Sequence, residues 1–263
     1  MLNPMAFLQR RKMLLIILSL VFFVILLLAK TPAQLLVNIV QSAGVPVFAS
    51  GVKGTVWQGR AEQLAIPLQR DQYWQLGEVE WQLSAWSLLL AKANLHVHSR
   101  YQQQSASIVL SVSPSTVVVS SADIRAPAAI VTQFLPLLPN ITGALRLTID
   151  EAVIDINQPL IESLTGELHI GSLSVAQDIL VYLGDYRLDV EIQQNALTAQ
   201  LKDSNATVGI KGKATAALGG GDYTVDVTII PTIRTEQSVL NLLQLVAVQQ
   251  HNGSFELQQK GRM

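Results

Sequence analysis

The chain has no cysteine in its 263 residues, so it holds no disulfide framework and no thiolate metal site. It is also poor in charge. Asp, Glu, Lys and Arg make up 14% of the sequence and leave a formal net charge of -1. That balance gives no electrostatic footprint for nucleic acid, and outside Arg10, Arg11 and Lys12 no basic cluster appears. No nucleophile elbow, Cys/His pair or metal-ligand set is present either, so the expectation is a protein that is not an enzyme and carries no cofactor.

What is abundant is apolar: 49% of the residues are hydrophobic, enough to bury a sizeable core in one domain. The strongest single signal is "RRKMLLIILSLVFFVILLLAK". Met13 to Ala29 run with Ser19 as the sole polar side chain. At 1.5 Å per residue this run covers roughly 25 Å, which fits a transmembrane helix whose basic flanks snorkel to the interfaces. A cleaved signal peptide fits less well, because its apolar region is shorter and ends in small residues. Three basic residues precede the run and only Lys30 follows closely, so residues 1–12 are expected in the cytoplasm and 30–263 on the far side.

Beyond the run the apolar residues recur at period two, the signature of half-buried strands. Val79, Trp81 and Leu83 alternate with Glu78, Glu80 and Gln82; Tyr186, Leu188, Val190 and Ile192 repeat the pattern, as do Tyr223, Val225, Val227 and Ile229. Val208, Ile210, Gly212, Ala214 and Ala216 continue it. Turn residues punctuate the alternation at 113–114, 139–140, 157–159, 203–205 and 219–221. The prediction is mainly β: an elongated, curved antiparallel sheet, a meander of hairpins, after one N-terminal helix. Three stretches break the pattern and are expected to be short helices plugging the ends or the open face. They are "SAWSLLLAK", with Trp86, Leu89 and Leu90 on one side, "APAAIVTQFLPLLP", and "TEQSVLNLLQLVAVQQHNG", with Val239, Leu242, Leu243 and Val246 in a stripe.

The segment "GVKGTVWQGR" invites a nucleotide-loop reading, but a phosphate loop leads directly into a helix. Here the chain continues into another alternating stretch, with Leu64, Ile66 and Leu68 on one face. Gly51, Gly54 and Gly59 are therefore expected to permit bends or bulges where strands meet, with Trp57 packing beside them. His96 and His98 share a strand face as a solvated pair, Asp150, Glu151 and Asp155 form a turn or outer-face cluster, and His169 and His251 stand alone.

The order of a short tail, one helix, "TPAQLLVNIV", then "SGVKGTVWQGRAEQL" and "WQLGEVEWQLSAWSLLLAKANLHV" resembles the type II secretion system protein N family. The most specific parts are "GxxGTVWxG", carrying Gly51, Gly54, Thr55, Trp57 and Gly59, and "EWQLSAWSLL", carrying Trp81 and Trp86. The resemblance implies an inner-membrane protein of Gram-negative bacteria with a periplasmic domain, whose partners are other secretion components and which helps export folded exoproteins. It implies no catalytic residue. A membrane-anchored long sheet with an apolar face also looks AsmA-like, and that alternative implies lipid binding or transfer. An apolar groove left open favours lipid, whereas a closed core favours a scaffold.

The basic residues before Met13 make the first prediction. A reporter enzyme active only in the periplasm, fused after Met263, is expected to be active; activity confined to a cytoplasmic reporter at that position would overturn the orientation.

Overall fold

In the computed structural model the described residues are 18–20, 22–23, 26–69, 72–88, 90–134, 140–158, 160–176, 180–218, 221–233, 235, 237, 240, 244 and 248–262. They form one sheet of 15 strands. The strands are β1 (Phe48–Ser50), β2 (Lys53–Gly54), β3 (Gln58–Gln69), β4 (Gln72–Leu83), β5 (Ala93–Tyr101), β6 (Gln104–Val112), β7 (Thr116–Pro127) and β8 (Asn140–Asp155). There follow β9 (Leu160–Ala176), β10 (Leu180–Gln193), β11 (Ala196–Ala206), β12 (Val208–Ala217), β13 (Asp222–Pro231), β14 (Val248–Gln249) and β15 (Phe255–Arg262). The spatial order is β1-β3-β4 and onward in sequence to β13-β15-β14, with β2 also on β3, and every pairing is antiparallel. At about 4.8 Å per strand the path is roughly 60 Å wide. This is the expected meander, drawn out along the direction of strand addition.

The sheet is open and largely a single layer. The chain exposes 17841 Å², whereas a compact globule of its mass exposes about 11,000 Å². The alternation read from the sequence is obeyed: Val79 and Trp81 are buried while Glu78, Glu80 and Gln82 are exposed, and Tyr186 and Ile192 are buried on the same principle. Most apolar partners of that face, such as Leu188, Val190, Val225 and Val227, are only half-buried, because among the described residues no second layer covers them. The densest packing lies at the N-terminal corner, where Ala33, Ala61 and Trp81 are buried with Leu36, Ala49, Val52, Leu95 and Val97 around them. Helix α1 (Gln34–Ser42) contributes to it, with Val37 buried. At Gly59 a β-carbon would stand 2.5 Å from Cζ2 of Trp81, so the indole lies flat where only glycine leaves room.

Among the described residues no helix is long and apolar enough to cross a membrane. Of the apolar run, residues 18–20, 22–23 and 26–29 are helical, and Leu18, Leu20, Phe22, Phe23, Leu26, Leu27 and Leu28 are all exposed. The expected tail 1–12 and the start of the run at Met13 lie outside the described residues. Two of the three predicted helices are described in part, since Leu89 of the first and residues 135–139 of the second lie outside the described residues. The first is the four-residue α2 (Ala85–Leu88), and the second is a 3-10 turn (Ala128–Ile130) running into α3 (Val131–Phe134). The stripe Val239, Leu242, Leu243 and Val246 of the third lies outside the described residues.

The turn expected at 203–205 is not one: β11 runs through to Ala206, and the reversal is at Thr207. A bulge accounts for the polar residues there. The register shifts between Asp185 and Tyr186, and Asp203 turns its carboxylate to the Ile210 amide at 3.2 Å. The β10–β11 reversal instead uses Gln194 and Asn195, both with positive φ, at 49 and 66°.

Two predictions rest on these contacts. Trp81→Ala is expected to cost about 3 to 5 kcal/mol, read as a lower melting temperature of the chain, and Gly59→Val to be destabilising because the indole must move. The hydroxyl of buried Tyr186 donates across the bulge, 2.9 Å from the Val208 carbonyl and 3.0 Å from that of Leu183. Burial, with the Asp203 charge next, pushes this phenol up from 10.0 to about 12. Its neutral form is therefore favoured by folding. The stability advantage of the wild type over Tyr186→Phe is expected to be full below pH 10 and to shrink as pH rises towards about 12. A difference that stayed constant across that window in chemical denaturation would contradict it.

Candidate functional site

The "GTVWQG" segment is a tight hairpin between β2 and β3. Gly54 pairs with Gly59, and the Thr55 amide donates to the Gln58 carbonyl at 2.8 Å. Gly54 adopts φ +92°, and a β-carbon there would lie 2.5 Å from the Gln58 carbonyl oxygen. Gly51, at φ +65°, kinks the edge strand so that β1 and β2 both pair with β3, on either side of Glu62. The expectation of a strand corner holds, and the corner has an additional function.

This hairpin clasps the end of the apolar run. The Trp57 indole N–H donates to the Leu28 carbonyl at 2.8 Å, the Val56 amide to Thr31 at 2.9 Å, and the Ala33 amide to Gly54 at 3.1 Å. Pro32 and Thr55 form an isolated antiparallel bridge. Leu28 belongs to the last helical turn, and its carbonyl also accepts from the Thr31 amide at 3.2 Å, so the indole adds a second bond to this helix-end acceptor. Trp57 is thus a fastener as well as a packing surface, whereas Trp81 packs, with its indole N–H donating to Val56 at 3.2 Å.

Trp86 behaves differently from the expectation. It is 80% exposed and Leu90 is 76% exposed, so this stretch plugs nothing. Its rigidity comes from Ser87, which is buried: the hydroxyl donates to the Ser84 carbonyl at 2.7 Å and accepts from the Asn94 amide at 3.1 Å.

Antiparallel pairing aligns residues from distant strands into rows. On the inner face Gly59, Trp81, Val97, Ile108, Ala122, Ile149, Gly166, Val190, Ala199, Ala214 and Val225 are successive cross-strand partners. They make an apolar strip across eleven strands. On the outer face Arg100, Ser105, Arg125, Arg146, His169, Arg187, Lys202 and Lys211 form a row that is basic at all positions but one. Like charges opposite one another repel, and the adjoining row offsets this. Asp123 binds Arg146 at 2.8 Å and Arg125 at 3.2 Å, while Arg187 binds Asp189 at 2.7 Å and Glu167 at 2.9 Å. Hydrogen bonds from Arg146 and then Arg125 hold the Asp123 carboxyl below its ordinary value, and Arg187 does the same for Asp189. These pairs are solvent-exposed and contribute little individually. The sequence reading did not single out this row, since outward positions are legible from alternation but their alignment requires the register.

The remaining candidates are dispersed. His98 faces Glu80 and Ser107, and His96 faces Gln82 and Val109, both on the exposed side. Asp155 caps a turn by accepting from the Asn157 amide at 2.8 Å, while Asp150 is the extra residue of a register shift between Ile149 and Glu151. Among the described residues no group of three His, Asp or Glu is placed to hold a metal ion.

The family model described as Type II secretion system (T2SS), protein N, matches residues 46–258, from the start of the edge strand to the middle of β15. No curated protein and no solved structure gives a significant match. The matched region takes in the clasp hairpin, the apolar strip and the basic row together, and on that match the chain belongs to the type II secretion system protein N family.

Proposed function

We propose that this chain is a single-pass inner-membrane protein, N-terminus in the cytoplasm, whose periplasmic sheet acts as a non-enzymatic accessory component of the type II secretion system in the export of folded exoproteins. As a member of that family it is a secretion component of the cell envelope, and its partners are other components of that system. The observation that carries the anchoring part is the clasp. An apolar helix exposed on all its described sides ends in hydrogen bonds from Trp57 and Val56, which set the sheet directly against the end of the run. A rigid root of this kind transmits position from the membrane to the sheet, which suits a scaffold better than a tether.

A second reading is supported by the apolar strip. Apart from the buried Trp81 and Ala122 its residues are half-buried on an open face, the geometry that favours an acyl chain or another apolar ligand over a closed core. The two readings separate by crosslinking in intact cells. With photocrosslinkers at Leu168 on the inner face and Gln200 on the outer face of the full chain, adducts to secretion components are expected. Phospholipid adducts at Leu168, with no protein adduct at either position, would favour the lipid reading instead.

The clasp itself predicts a local effect. Trp57→Phe keeps the ring and removes the donor to Leu28, a loss of about 1 kcal/mol. In the membrane-reconstituted chain the Ala33 and Val56 amides are expected to exchange roughly fivefold faster, with amides of β9 and β10 unchanged. Unchanged exchange at Val56 would mean that the indole does not hold the junction.

A further inference from the structure

We infer that Trp86, Leu88 and Leu90, at the turn between β4 and β5, form a second membrane contact that inserts into the outer leaflet beside the apolar helix. The inference rests on the anchoring proposed above and goes beyond it.

Location comes first. β4 ends at Leu83, whose amide donates to the Trp57 carbonyl at 2.7 Å, and the Trp57 indole in turn reaches Leu28. The turn therefore departs from the same edge of the sheet as the end of the apolar run, two hydrogen bonds away from it. β4 reaches this edge as β3 leaves it, so the chain beyond Leu83 projects past the strand ends on the side where the helix arrives.

Construction comes second. Trp86 is 80% exposed, Leu90 76% and Leu88 43%, a cluster of large apolar side chains held in water. They are held there by a built loop. The amides of Leu90 and Lys92 both donate to the Ser87 carbonyl, at 3.0 and 3.1 Å, the Ala91 amide donates to Leu88 at 3.0 Å, and Ala91 takes φ 53°. With the Ser87 hydroxyl tied to Ser84 and Asn94, the loop cannot fold its apolar side chains back onto the sheet without breaking these bonds. Keeping such surface in water is unfavourable unless something apolar receives it.

Chemistry decides the occupant. Tryptophan prefers the headgroup level of a bilayer, and leucines beside it reach the acyl boundary. Between Trp81 and Ala93 there is no acidic residue, and Lys92 is the only charge. With Lys30 at the end of the run it gives this edge two cations that suit anionic phospholipid. The next turn on the same edge, Ser113-Pro114-Ser115, is polar and supplies an internal contrast.

A cysteine-free chain allows a direct test by nitroxide labelling at single introduced cysteines. The full chain, carrying Leu90→Cys, Ser115→Cys or Leu27→Cys, is reconstituted in vesicles of phosphatidylethanolamine and phosphatidylglycerol. Accessibility to oxygen and to a water-soluble nickel chelate is then measured. The expected result is high oxygen and low nickel accessibility at positions 27 and 90, and the reverse at 115. A water-exposed label at 90 with a lipid-exposed label at 27 would overturn this contact and leave the anchor standing. A label at 90 shielded from both reagents would also overturn it, since protein and not lipid would then cover the loop. A water-exposed label at 27 would remove the anchor reading as well. Leu90 is exposed and makes no core contact, so the substitution leaves the fold intact, and an unchanged melting temperature verifies that.

Discussion

The backbone ladder of a single antiparallel sheet governs this molecule, because with no second layer above it among the described residues the register decides which side chains share a surface. Strand alternation separates apolar from polar residues within each strand. Register then joins these residues, from strands as far apart in sequence as β3 and β13, into the apolar strip and the basic row. A slip of one residue anywhere in the series would turn every later side chain to the opposite face. The bulges at Asp185 and Val109 absorb local mismatches while keeping the rows aligned on either side. The edge strands are short: β14 has two residues and β1 three, so each covers only part of the strand beside it.

Much of this was legible in the sequence, for a reason that also marks the limit. Period-two patterning is a local property, so the inner sets at Val79–Leu83, Tyr186–Ile192 and Tyr223–Ile229 could be read directly. The reversal at Gln194 and Asn195 passed unnoticed because only one of its two residues is a strong turn former. Asp203, Ser204 and Asn205 looked like a turn because their polarity serves a bulge, and bulges depend on the partner strand. In the first helical stretch Trp86 and Leu90 fit a helical stripe equally well when they are simply exposed at a turn. The ion pairs of Asp123 and Arg187 lay beyond reach altogether, as each depends on the register of three strands.

The N-terminal corner shows how one residue type serves different physical ends within a few ångströms. Trp81 is buried over a glycine and contributes through area and fit. Trp57 uses its single donor on the Leu28 carbonyl at the helix end, an acceptor it shares with the Thr31 amide. Trp86 is displayed, with a serine and not a hydrophobic residue anchoring its loop. The "GTVWQG" and "EWQLSAWSLL" segments therefore build a junction with three distinct requirements.

The coincidence of spatial order with chain order has a consequence for how the molecule is made. Each strand from β3 to β13 finds its partner in the hairpin already laid down, so loops to be closed are short and each addition is nearly independent of those to come. A chain emerging from synthesis N-terminal end first can add strand by strand from the clasp outward, with only the most recently added edge unprotected at any moment. Vectorial growth of this kind resembles the assembly of solenoid repeats, in which nearest neighbours supply almost all the cohesion. It lets a sheet too wide for a single cooperative collapse form without a long-lived, aggregation-prone intermediate.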